Sequence, residues 1–137
     1  MSAHKPVLLK EVIENLNIQD GGTYIDCTFG AGGYSEAILS AANCRLISLD
    51  QDPTTQVFAE NLSKKFGDRF RFVNDNFRNL QNLDLGSNEI DGIVYDFGVS
   101  SMQLDNKERG FSFQENAKLD MRMGISGSSA YDIINNY

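Results

Sequence analysis

Cations are scarce in this sequence. Twelve Lys and Arg stand against 19 Asp and Glu in 137 residues, a net charge of −7. That balance argues against a surface that grips nucleic acid all round, while leaving room for a local basic patch. Cysteine is equally sparse. Cys27 and Cys44 form no CxxC pair and are too few for a disulfide framework. The chain therefore reads as reduced and cytoplasmic, with both cysteines as small buried apolar residues. The single histidine, His4, has no partner at ligand spacing, so a surface or capping role is expected and no metal site. No apolar run approaches the roughly 18–20 residues of a membrane span. The first residues lack the hydrophobic core of a signal peptide. Repeats and low-complexity tracts are absent too. What is present is an ordinary globular composition, 41% hydrophobic and 23% charged, at a length suited to one small domain.

The hydrophobic periodicity predicts alternating elements. Val12, Ile13 and Leu16 recur at helical spacing from Leu9 to Leu16. After the turn Asp20-Gly21-Gly22, residues 23–28 read as a strand and 34–42 as a helix. Residues 45–50 (Arg-Leu-Ile-Ser-Leu-Asp) read as a strand buried on both faces. A helix opens with Pro53, where a missing N–H costs nothing, and carries Phe58, Leu62 and Phe66 at steps of four. Gly67 stops it. Residues 69–74 predict a third strand and 79–85 a short helix. Gly86-Ser87-Asn88 is a turn, and 90–96 predict a fourth strand. This order implies a parallel α/β sheet with right-handed crossovers. Residues 97–129 show no periodicity, and 129–137 read as the first turns of a helix.

Three strand ends carry the chemistry. Gly30-Ala31-Gly32-Gly33 follows the first strand and opens a helix. Glycines there admit close approach of a ligand to the backbone and to free N–H groups. Asp50 ends the second strand, 18 residues beyond Gly32, a distance at which an acid binds both hydroxyls of a ribose. Asp96 ends the fourth strand. All three fall on the carboxyl edge of the sheet, where open α/β folds bind ligands. Taken singly, the glycines are as readily a tight turn and Asp50 a solvated strand end. Together, in this order, they favour a nucleoside crevice. The Gly-x-Gly-x-x-Gly spacing of dinucleotide sites is broken, since Ser35 stands three after Gly32. That points away from a nicotinamide dinucleotide and toward an adenosyl ligand without phosphates, S-adenosylmethionine. Asp96-Phe97-Gly98 matches a kinase triplet by chance, with no other kinase element beside it.

The residues carry a resemblance. His4-Lys5-Pro6-Val7-Leu8-Leu9-Lys10-Glu11-Val12, the stretch from Tyr24 to Ser35, and Asp50-Gln51-Asp52-Pro53 are similar to successive motifs of the RsmH/MraW family. These are small-subunit ribosomal RNA cytosine-N4 methyltransferases. More specific still are residues 96–105 (Asp-Phe-Gly-Val-Ser-Ser-Met-Gln-Leu-Asp), Arg109-Gly110-Phe111-Ser112-Phe113 and Leu119-Asp120-Met121-Arg122-Met123. The resemblance covers essentially the whole chain. It implies the first half of a class I methyltransferase fold, a Rossmann-like parallel sheet of four strands with flanking helices. It also implies S-adenosylmethionine as cofactor. Carried over position by position, cofactor contacts fall on Gly32, Gly33, Tyr34, Asp50, Phe77, Asp96 and Gln103. Tyr34 stands where many members have His, and Asn116-Ala117-Lys118 replaces the usual Asp-Gly-Pro.

Members run to roughly twice this length. The expectation is therefore an N-terminal half. Residues 1–97 would form half of the cofactor core, and 98–137 an irregular segment with the truncated start of an inserted helical domain. The partners implied are small-subunit ribosomal RNA or the assembled subunit, and a complementary C-terminal half, with no membrane. Asp96 is the candidate acceptor for protons of the cytosine amine, with a cofactor contact alone as the equal alternative. Lys107, Arg109, Lys118 and Arg122 with Phe111 and Phe113 are candidates to meet RNA, or else the aromatics only pin the loop. An inactive remnant, a split enzyme and, more remotely, a nicotinamide-binding protein stand as the other readings. An uncovered fourth strand would favour self-association.

Overall fold

The computed structural model describes residues 6–84, 86, 89–114 and 116–136. The reading of His4 and part of the turn at 86–88 lie outside them. Two compact units are present, Met1–Asp96 and Phe97–Tyr137.

The first unit is built on four parallel strands: β1 (Thr23–Asp26), β2 (Arg45–Leu49), β3 (Phe70–Val73) and β4 (Gly92–Val94). Their order is β3-β2-β1-β4, so the chain starts in the middle of the sheet and works outward twice. Ile25 faces Ile47 on one side and Ile93 on the other. Helices α1 (Leu9–Leu16), α2 (Gly33–Ala41) and α3 (Gln56–Phe66) contribute to one core with Tyr24, Leu46 and Phe70 of the strands. Ile38, Leu39, Ala59 and Leu62 are its buried helical members, and Ile13 and Leu16 pack at its margin. The Phe29 ring lies in the same core, 5.9 Å from Phe70 and 5.1 Å from Phe72. On the other face Ile25, Cys27, Ile47 and Leu49 are covered by Val73, Phe77, Leu80, Leu83 and Ile90. β2 is thus buried on both faces, as its Leu-Ile-Ser-Leu run predicts.

Differences from the sequence expectations are local. The helix expected from Pro53 opens with a 3-10 turn, Pro53–Thr55, because the Asp52 carboxylate caps the Thr54 amide. The short helix expected at 79–85 is a 3-10 helix, Phe77–Asn82, started by the Asn76 side chain accepting from the Arg78 amide. β4 is shorter than expected. Just before it, Asp91 is tied to the start of β1: its carboxylate accepts the Thr23 amide (2.8 Å) and its own amide donates to Thr23 O (2.8 Å).

The second unit is more ordered than its lack of periodicity predicts. Helix α4 (Ser101–Asp105) opens with a reciprocal capping box between Ser100 and Gln103. A 3-10 turn, Lys107–Arg109, follows, and α5 (Ala130–Asn136) closes the described chain. Between them the Arg109 guanidinium donates to the carbonyls of Arg122 (2.9 Å) and Met123 (2.7 Å). Asp120 holds the Arg122 guanidinium with both carboxylate oxygens at 2.7 Å. A Cβ on Gly110 would run into the Lys118 carbonyl, which accounts for glycine in Arg-Gly-Phe.

Candidate functional site

The glycine loop, Asp50 and Asp96 all lie at the carboxyl ends of strands in the first unit. Gly30 (φ +55°) and Gly32 (φ +84°) adopt the left-handed conformation that favours glycine. The Phe29 amide donates to Leu49 O (2.9 Å), and the Gly30 amide donates to Asp50 Oδ2 (2.7 Å). The loop after β1 is thereby fastened to the end of β2. Asp50 Oδ1 also accepts from the Asp52 amide (2.9 Å). These bonds fix the carboxylate's orientation. The Asn74 amide group donates to Asp50 O and that of Asn76 to Gln51 Oε1, both at 2.7 Å, so the end of β3 braces the same corner.

The candidate residues differ in what they touch. A Cβ on Gly32 would point inward, 3.0 Å from the Phe29 ring. Glycine at this position serves packing and the turn, and a larger side chain there would disturb the fold itself. Gly33 carries Pro6 on its surface, so close that a Cβ would overlap the proline ring. Beside it the Tyr34 hydroxyl donates to the Val7 carbonyl. Pro6 and Val7 therefore lie across the start of α2. Burial, followed by the charges of Asp96 and Asp26, pushes the Tyr34 phenol upward. Phe77 meets Tyr95 edge to face at 5.5 Å. Asp96 is exposed, and its amide donates to Thr28 Oγ1 (2.7 Å). Gln103, on α4, is buried and serves the capping box.

Among the basic residues considered for RNA, Arg109 and Arg122 are engaged with carbonyls and with Asp120, as described above. Lys107 and Lys118 are exposed, and so is Phe113, whereas Phe111 is half-buried with Arg109 over its ring at 5.8 Å.

The residue that sequence reasoning missed is Asp26, with no exposed surface. Its Oδ1 accepts from the Thr28 amide (3.1 Å) and its Oδ2 from the Ser35 hydroxyl (2.7 Å). Ser35 Oγ lies 2.8 Å from Ser48 Oγ. Burial raises the carboxyl to about 6; the bonds from Ser35 and Thr28 oppose the rise, and the charges of Asp50 and Asp96 add to it. The signal was legible, an acid between Ile25 and Cys27 in a strand.

Four parallel strands with flanking helices and a glycine loop at the first strand end define a class I methyltransferase fold. A solved rRNA methylase from Streptococcus thermophilus shares it, with a TM-score of 0.55 at 16% identity, over 78% of this chain and 64% of that one. The chain belongs to the MraW methylase family, which matches residues 1–137. Ribosomal RNA small subunit methyltransferase H of Ehrlichia canis is 52% identical over 127 residues, 91% of this chain and 43% of its own length. The protein of the same name from Parvibaculum lavamentivorans is 47% identical over 138 residues, 99% of this chain and 41% of its own. The chain thus spans less than half the length of these relatives. Among the described residues no helix is long and apolar enough to cross a membrane.

Proposed function

We propose that this chain carries the cofactor-binding part of an S-adenosylmethionine-dependent methyltransferase acting on the exocyclic amine of a cytidine in small-subunit ribosomal RNA. The observation that carries the reading is the Gly30 amide on the Asp50 carboxylate, 2.7 Å apart. It joins the glycine loop and the acid as adjacent walls of one nucleoside pocket. The donor set fits the ligand. The charges of Asp50 and Asp96 both bear on Asp26. Such a site suits a cation better than a pyrophosphate, which also weighs against a nicotinamide dinucleotide.

When bound, S-adenosylmethionine supplies a methyl group on a cationic sulfur. Asp50 would accept the ribose hydroxyls, and the backbone at Gly32 and Gly33 would border the ligand. Tyr34, Phe77 and Gln103 are carried as further contacts by family likeness. Asp96 would accept a hydrogen bond from the target amine, drawing its lone pair out of the ring and later taking the proton. Orientation supplies much of the rate in such an in-line transfer.

A complementary chain is part of the proposal. Among the described residues β4 has a strand partner only in β1, and Ile93 and Tyr95 are each 42% exposed. An uncovered edge of this kind pairs with another strand, supplied by a complementary half or a second copy. The test incubates the protein with labelled S-adenosylmethionine and small ribosomal subunits, alone and with the remaining sequence of a relative. Label on cytidine N4 with both chains is the expected result. Label on another base, or none in either mixture, contradicts it.

A further inference from the structure

Asp26 is surrounded by groups that join three walls of the pocket. The Ser35 hydroxyl has one proton, and Asp26 Oδ2 takes it. The contact at 2.8 Å with Ser48 must then be donated by Ser48. Asp26 Oδ1 takes the Thr28 amide, and Thr28 Oγ1 in turn takes the Asp96 amide. One continuous chain of hydrogen bonds therefore runs from β2 through the first turn of α2 and the end of β1 to the segment after β4. Every buried polar side-chain atom among the described residues is satisfied. Placing a carboxyl with no exposed surface in this position costs stability when it is ionised. A neutral amide of the same shape would fill the space without that cost.

We propose that Asp26 is the positioning residue of the pocket: its ionised carboxylate, through the Ser35 hydroxyl and the Thr28 amide, holds the glycine loop and the Asp96 segment in the arrangement that receives the adenosyl ligand. This rests on the cofactor reading above and adds to it a residue that does not itself touch the ligand. The titratable groups that bear on Asp26 are Asp50 after β2, Asp96 after β4, Cys27 next to it just after β1 and Tyr34 on α2. With its carboxyl raised to about 6, Asp26 changes charge between neutral and mildly acid solution.

The experiment titrates S-adenosylmethionine by calorimetry into wild type, Asp26→Asn and Ser35→Ala between about pH 5 and 7.5, and records unfolding temperatures alongside. If only the ionised form is competent, wild-type affinity falls about tenfold one unit below the midpoint. Asp26→Asn should bind at least about tenfold more weakly at neutral pH, show no such slope, and unfold at a higher temperature than wild type. Ser35→Ala removes a bond that favours the ionised form, so the midpoint should move above 6. Wild-type affinity in Asp26→Asn would overturn the proposal, as would affinity and unfolding temperature falling together. A slope that survives in Asp26→Asn would belong to another group and would also overturn it. No binding by wild type at any pH would overturn the cofactor reading and this inference with it. Equal affinity in wild type and Asp26→Asn would overturn this inference alone.

Discussion

The two units reach order by different means. In residues 1–96 the apolar faces of α1, α2 and α3 close on a sheet whose strands hold fully buried Tyr24, Ile25, Leu46 and Leu49. In residues 97–137 the side chains that fix the backbone are Ser100, Gln103, Arg109, Asp120 and Arg122. Gln103 alone is buried among the described polar residues of that unit, and Phe113, Ile125 and Tyr131 are exposed. Burial orders the first unit and charge-assisted hydrogen bonds order the second. The former is robust to salt and the latter is screened by it.

A cavity in the first unit should have the largest effect. Ile38 has no exposed surface, and Ile38→Ala is expected to cost about 2–5 kcal/mol, read from a denaturant titration. A loss below about 1 kcal/mol would mean that the core relaxes around the gap and is less closely packed than described.

The pH response should divide the units by sign. Asp26 is raised from 3.8 to about 6, so the folded state holds its proton more tightly than the unfolded chain. The resulting stabilisation is complete below about pH 4 and lost as pH rises through 6, about 3 kcal/mol in all. Asp120 is lowered from 3.8 to about 2 by its bonds to Arg122. Its contribution is present above about pH 4 and lost as pH falls through 2. With the Asp120 side chain 31% exposed, screening keeps that contribution below about 1 kcal/mol. Unfolding curves of wild type and Asp26→Asn across pH check the first. A wild-type curve parallel to the variant's between pH 4 and 7 would contradict it.

In the second unit Arg109→Lys should remove the fork that holds the 122 and 123 carbonyls while keeping the charge. The expected cost is about 1–2 kcal/mol of local order, seen as faster proteolysis within 110–130 with the sheet unit intact. Equal proteolysis of variant and wild type would show that the motif does not depend on the arginine. Raising the salt concentration should reproduce a fraction of the same effect, the smallest of the series.

The same contrast decides what was legible in the sequence. The succession of strands and helices, the helix of residues 9–16 and the double burial of β2 follow from apolar spacing, because spacing records which face is covered. The placement of Asp50 beside the glycine loop was legible from strand ends alone. The fixing of residues 97–129 was not, because hydrogen-bond networks leave no period. Even so, Ser100 and Gln103 stand at capping-box spacing, and that signal opens α4. Asp26 was legible as an acid between Ile25 and Cys27 but not as a site residue. A strand rich in apolar residues reads as core, and the acid within it was passed over. The glycines were legible as a loop but not in their division of labour. Gly32 turns inward on Phe29 and Gly33 lies under Pro6, contacts between segments that local sequence does not relate.

The central claim is that the loop after β1 and Asp50 form one adenosyl pocket. Calorimetric titration of S-adenosylmethionine into wild type and Asp50→Ala tests it directly, with circular dichroism to establish that both are folded. Hydrogen bonds to a charged group contribute about 1.5–3 kcal/mol, so the variant's dissociation constant should rise roughly 10- to 100-fold. An unchanged constant in a folded Asp50→Ala protein would contradict the account and remove Asp50 from the site.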